Sequence, residues 1–246
     1  MYDATDTDAP IIAVESVRKA FASRPVLEQV TFSIRRAEAV CLCGVNGAGK
    51  STLMRIMAGL LRADGGRVLV GGHDVSRDPD AVRPLVGVIS HKSMVYADLT
   101  VLENLLFFAR LYGAADADAR VAPLLEQVRL SAFRYDRAAV LSRGLLQRLS
   151  VARALVHEPA ILLADEPFTG LDSEACAQLV ETLTAFTASG GALVMTTHDV
   201  GMGLRCCARV LVLDGRRILF DQPTAGLDTA ALAQDYLSYA RARDRH

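Results

Sequence analysis

The stretch that most restricts this chain's fold is Gly44-Val45-Asn46-Gly47-Ala48-Gly49-Lys50-Ser51-Thr52. An apolar run from Glu38 to Cys43 precedes it. The segment after it, Lys50 to Leu61, repeats Leu53, Ile56, Met57 and Leu60 at helical spacing. The order strand, glycine turn, helix makes an α/β unit, and the turn matches glycine, four residues, glycine, lysine, then serine or threonine. Glycines let a backbone wrap an anion with its N–H groups, and the following helix points its positive end at the same place. Gly44, Asn46, Gly47, Ala48 and Gly49 are therefore expected to line a polyphosphate. Lys50 would supply a point charge to its outer phosphates, Ser51 a hydroxyl for Mg2+ and Thr52 a contact to the innermost phosphate. Of 27 basic residues only Lys19, Lys50 and Lys92 are lysines, so a lysine at this place answers to more than general positive charge.

The chain has 246 residues, 51% of them hydrophobic, and a formal net charge of −1. That is enough chain for one or two cored domains and the wrong composition for disorder. A balanced charge gives no support to nucleic-acid binding. No run of about 18 apolar residues occurs, so no spanning segment is expected. Met1 to Pro10, with Asp3, Asp6 and Asp8, lacks the basic and apolar regions of a signal peptide and reads as a flexible tail. Cys41, Cys43, Cys176, Cys206 and Cys207 are odd in number and scattered, which fits reduced thiols packed in a core better than a disulfide framework. For Cys41, Cys43 and the Cys206-Cys207 pair, redox or metal work is the alternative.

Val14 to Val17, Val26 to Ile34 and Arg67 to Val70 read as short strands, with breaks at Asp64-Gly65-Gly66 and Gly71-Gly72. Leu99 to Leu130 is helical, with one stripe of Leu102, Leu105, Leu106, Ala109 and Leu111 and another of Val121, Leu124, Leu125 and Val128. Later segments alternate: helix Leu146 to Val156, strand Ile161 to Ala164, helix Ser173 to Ala188, strand Ala192 to Thr196, helix Val200 to Arg205, strand Arg209 to Leu213. The expected class is α/β. A P-loop NTPase core with a mostly parallel sheet carries an N-terminal antiparallel β subdomain and an inserted α-helical subdomain.

A phosphate loop needs a partner element that holds metal and activates water, expected on a neighbouring strand. Ile161-Leu162-Leu163-Ala164-Asp165-Glu166 ends in two carboxylates, of which Asp165 would reach Mg2+ and Glu166 would act as general base. Thr197-His198-Asp199 closes the next strand and puts His198 at the same sheet edge, where it would contact the terminal phosphate.

In this order and spacing the residues resemble the ATP-binding-cassette ATPases, the motor subunits of ABC transporters, from about Ile11 to Gln222. The resemblance rests on the loop at Gly44, Leu141-Ser142-Arg143-Gly144 before a helix ending Ala152-Arg153-Ala154-Leu155, the acids Asp165 and Glu166, Gly170-Leu171-Asp172, and His198. It implies ATP and Mg2+ as cofactors, with two chains closing head to tail on two ATP molecules. Ser142 and Gly144 would then touch the phosphate held by the partner copy, and Asp172 would couple the two sites. Lys50, Glu166 and His198 would be catalytic. Phe21 occupies the position of an aromatic that stacks on adenine, although a core phenylalanine would read the same.

Two positions depart from the family. Its usual Leu-Ser-Gly-Gly-Gln is Leu141-Ser142-Arg143-Gly144-Leu145 here. In the loop Val86-Gly87-Val88-Ile89-Ser90-His91-Lys92, His91 stands where the family has a metal-contacting glutamine. With Leu99 to Leu105 and Ala109 to Gly113, that histidine makes the chain similar to the ATPase subunit of the haem exporter of cytochrome c biogenesis. Drug- and polysaccharide-export ATPases, other members that move no solute, and a catalytically silent regulatory module are the alternatives.

The resemblance implies transmembrane permease subunits and a second copy or homologous ATPase subunit as partners, without nucleic acid, at the cytoplasmic face of the inner membrane. The expected divisions are a tail at 1–10, the ATPase domain at 11–222 with its helical subdomain at 94–153, and a C-terminal helical extension at 223–246.

Overall fold

The computed structural model describes residues 9–90, 92–114 and 116–225. In chain order it holds β1 (Ile12–Phe21), β2 (Arg24–Ile34), β3 (Ala39–Cys43), α1 (Lys50–Met57), β4 (Gly65–Val70), β5 (His73–Asp74), α2 (Pro79–Val82), β6 (Val86–Ile89), α3 (Val101–Leu111), α4 (Ala117–Gln127), α5 (Arg143–Leu155), β7 (Ile161–Asp165), α6 (Ser173–Ala188), β8 (Ala192–Thr196), α7 (Val200–Cys206), β9 (Arg209–Asp214) and β10 (Arg217–Pro223). An antiparallel sheet runs β2-β1-β4-β5, and a second sheet runs β10-β9-β3-β8-β7-β6. Within the second, β9, β3, β8, β7 and β6 are parallel and only β10 is antiparallel.

The continuous apolar runs are explained by two cores, one on each face of the parallel sheet. Val40 and Leu42 of β3, Leu163 of β7 and Val194 of β8 face a core shared with α1 and the antiparallel sheet, where Leu53, Ile56, Met57, Val14 and Val30 are buried. Cys41 and Cys43, Leu162 and Ala164, and Leu193 and Met195 face the opposite core, against Leu105 of α3, Val121 of α4, Leu149 of α5 and Leu183 of α6. Cys41 and Cys43 pack within it, their sulfurs 3.4 Å apart. The first turn of α3 is closed by a capping box in which Thr100 and Glu103 exchange side-chain and backbone hydrogen bonds. No helix among the described residues is long and apolar enough to cross a membrane.

Several local expectations change. The helix after the glycine loop stops at Met57, because Gly59 turns left-handed at φ 68°, and Leu60 is 57% exposed instead of facing the core. Leu111 likewise falls off its stripe into solvent. Gly65 and Gly66 lie inside β4; a Cβ at Gly66 would stand 2.3 Å from the Ser16 carbonyl oxygen, so the glycine marks close strand approach and not a break. Val86–Ile89 is a strand, the far edge of the parallel sheet, and not a loop. Helix α5 starts at Arg143, before the expected Leu146, and β10 adds a hairpin strand after Asp214-Gly215. Residues 1–8 of the expected tail and 226–246 of the expected extension lie outside the described residues.

Candidate active site

The buried strand β3 delivers the chain into the glycine loop, and packing explains the first glycine. A Cβ on Gly44 would sit 2.4 Å from the carbonyl oxygen of Leu213 in β9. Gly49, at φ 106°, is the N-cap of α1, and no side chain caps that end or places an acid in its first turn. A side chain at Gly49 would also press on Val26 and Leu27 of β2. The helix therefore presents its first N–H groups and positive dipole end toward the loop.

Lys50 is buried and curls back, donating from Nζ to the carbonyls of Gly44 at 2.6 Å and Val45 at 3.3 Å. Burial pushes its pKa below the usual lysine value, while the nearby charge of Glu166 pulls the other way. The Ala48 N–H donates to the Val45 carbonyl at 3.0 Å, closing the turn. Asn46, Gly47 and Ser51 stay exposed, with Thr52 half-buried.

Phe21 ends β1 and is 46% exposed, so it is no core phenylalanine. Lys19 Nζ lies 5.4 Å from its ring centroid and 2.7 Å from Asp64 Oδ1, and the Ala20 N–H donates to Asp64 Oδ2 at 2.7 Å. The end of β1 is thereby held in place.

The acids do not sit on the strand beside the loop strand, as expected. β8 lies between β3 and β7, and its last residue, Thr196, makes the connection. Thr196 Oγ1 donates to Asp165 Oδ1 at 2.5 Å and accepts the Glu166 N–H at 3.1 Å. Glu166 leaves β7 at φ 54°, a left-handed turn that costs a non-glycine residue about 1 kcal/mol. That turn sends its carboxylate to His198. Glu166 Oε2 is 2.7 Å from His198 Nδ1 and accepts the His198 N–H at 3.3 Å. Lys50, Asp165, Glu166 and His198 thus gather at the C-terminal edge of the parallel sheet, the usual place for ligands in such sheets.

Ser142 and Gly144 form a second locus together with Asp172. Ser142 is the N-cap of α5, accepting the Leu145 N–H at 3.3 Å, and Asp172 caps α6 by accepting the Ala175 N–H at 2.8 Å. Both line one cleft with Gly144, Leu171, Phe133 and Arg148. Arg143, in place of the family's glycine, donates from Nη2 to the Thr169 carbonyl at 2.9 Å and covers Gly170, where a Cβ would fall 2.1 Å from its Cζ. Gln147 Nε2 donates to the Pro167 carbonyl at 3.0 Å. Thr196, Arg143 and Gln147 escaped the sequence reading as site residues; the polar end of an apolar strand was the signal available for Thr196. His91 lies outside the described residues.

A family model described as ABC transporter matches residues 27–169, more than half of the chain. The Nod factor export ATP-binding protein I of Paraburkholderia xenovorans is 37% identical over 217 residues, covering 87% of this chain and 71% of that one. A phosphonates import ATP-binding protein of Trichormus variabilis is 39% identical over 210 residues, covering 81% and 86%. A solved ATP-binding subunit of an ABC transporter superposes with a TM-score of 0.83 at 28% identity, over 95% of this chain and 98% of that one. Neither relative's name refers to haem, so the expected kinship with the haem exporter gains no support from them. The chain belongs to the ABC transporter family, as one of its ATP-binding subunits.

Proposed function

We propose that this chain binds and hydrolyses MgATP as the motor of an exporter, two copies closing on two nucleotides beneath separate membrane subunits. The Glu166–His198 pair above the uncapped end of α1 is the observation that carries this reading. The residues suit the cofactors. An open helix N-terminus and the exposed Asn46-Gly47 turn fit a polyphosphate, and Ser51 with Asp165 supplies the hard oxygen donors Mg2+ requires. Bound Mg2+ would polarise the terminal phosphoryl group.

In this reading Glu166 Oε2 orients the attacking water and accepts its proton. His198, donating from Nδ1, holds that carboxylate and leaves Nε2 for the terminal phosphate. Lys50 exchanges the Gly44 and Val45 carbonyls for phosphate oxygens. Phe21 stacks on the base. Ser142 and Gly144 complete the site of the second copy, where Asp172 couples the two. The divisions 1–10, 11–222 with 94–153 inserted, and 223–246 belong to the same reading, as does a peripheral position on the cytoplasmic face of the membrane. Export follows the Nod factor relative, whereas the phosphonate relative is an importer. The cargo is chosen by the membrane subunits.

Steady-state hydrolysis tests the reading. The rate per chain should rise with protein concentration, and Glu166→Gln should lower kcat at least about a hundredfold while MgATP still binds. Turnover undiminished by that substitution would contradict it.

A further inference from the structure

Among the described residues strand β6 pairs on one side only, with β7, so the carbonyls on its other side need partners from elsewhere. Helix α5 and the residues just after it supply them. Arg153 donates from Nη2 to the Val88 carbonyl, and His157 Nε2 lies 3.2 Å from the Val86 carbonyl. The two side chains are one helical turn apart and the two carbonyls one pleat repeat apart, so helix and strand are joined at matched spacing. Contact is close along the whole seam. A Cβ on Gly87, between the two carbonyls, would stand 2.3 Å from the Ala154 carbonyl oxygen.

Arg153 is 7% exposed, and among the described residues no carboxylate pairs with it. Its guanidinium instead packs 5.6 Å from the Phe108 ring centroid of α3. The imidazole of His157 stacks on Tyr112, at the end of the same helix, with centroids 3.8 Å apart and planes 8° apart. An aliphatic side chain here would leave the Val88 carbonyl without that donor, so the arginine both satisfies the sheet edge and fixes α5 to it.

The seam also joins two parts of the molecule. Ser142 and Gly144 begin α5, and β6 pairs with β7, the strand that ends in Asp165. We infer that Arg153, assisted by His157, is a positioning residue that locks the Ser142 helix to the edge strand of the parallel sheet, so that Ser142 meets a partner's nucleotide from a fixed position on the sheet. This inference rests on the proposed function. It assigns to Arg153 and His157 a part in the composite site, although neither touches nucleotide.

The test uses the full chain carrying Glu166→Gln, with sedimentation at graded protein concentrations in MgATP. Adding Arg153→Met, which keeps the apolar stem and removes the donors, should leave the monomer's affinity for MgATP within about twofold and weaken dimerisation about tenfold. Arg153→Lys should recover much of the dimer. In the chain with Glu166 intact, Arg153→Met should lower kcat about tenfold with KM unchanged. Unaltered dimerisation and kcat would overturn the inference, as would a loss of ATP binding as large as the loss of dimer. If Arg153→Met does not fold, His157→Leu removes the bond to Val86 together with the stack on Tyr112 and should weaken the dimer about threefold, and no weakening would again overturn the inference. A Glu166→Gln chain that stays monomeric in MgATP would instead overturn the proposed function, a distinguishable failure.

Discussion

Glu166 is held by four local features: a left-handed backbone, an N–H tied to Thr196, a carboxylate tied to His198, and Asp165 beside it on the same threonine. A strained turn survives only where its surroundings determine it, and here they hold the carboxylate against His198, the geometry the proposed general base requires. The motif made Asp165, Glu166 and His198 readable as types and order. Thr196 was not readable, because a threonine ending a strand has no signature until the neighbouring strand is known. Phe21 shows the same limit from the other side, since sequence left it between core and ligand contact and its exposure removes the core reading. Phe21→Ala should weaken ATP binding about fivefold to tenfold, the loss of one stacked ring, and leave inorganic triphosphate binding unchanged. Calorimetry with both ligands checks this, and equal losses for the two would contradict a base-stacking role.

Among the elements, β3, β7 and β8 were legible as apolar runs and α3, α4 and α6 as periodic ones, because burial on one or two faces writes itself into residue spacing. Their lateral order was not legible, which is how β8 came to separate the acids from the loop strand. The hairpin between β1 and β2 turns at Ala22 and Ser23, at φ 44° and 67°, without the Asn-Gly or Asp-Gly that marks such turns; β10, by contrast, follows Asp214-Gly215, a signal that was present. The seam of α5 on β6 depends on His157, whose pKa burial pushes down to about 4. The fold thus holds a neutral imidazole that the unfolded chain protonates below about pH 6.5. Its contribution is intact above that pH, fades as pH falls towards 4, and is fully lost below it, by about 3 kcal/mol in all. Denaturant titrations of His157→Gln against the parent should therefore show a flatter acid limb between pH 6.5 and 4. Parallel limbs would remove His157 from the acid response.

In the whole molecule, one face of the parallel sheet packs α1 and the antiparallel sheet, while the other packs α3 to α6. The glycine loop and the acids meet at the sheet's edge, while Ser142, Gly144 and Asp172 line a cleft of their own; in the proposed dimer the two groups complement one another between copies. The motifs announced both groups; their separation within one chain is a matter of topology and appears only in three dimensions. Sedimentation of the Glu166→Gln chain in three backgrounds tests that division most directly. With MgATP the mass should double, Ser142→Arg should hold it at one chain while nucleotide still binds, and Lys50→Ala should abolish binding and doubling together. A mass that never doubles, or a dimer indifferent to Ser142→Arg, would contradict the account.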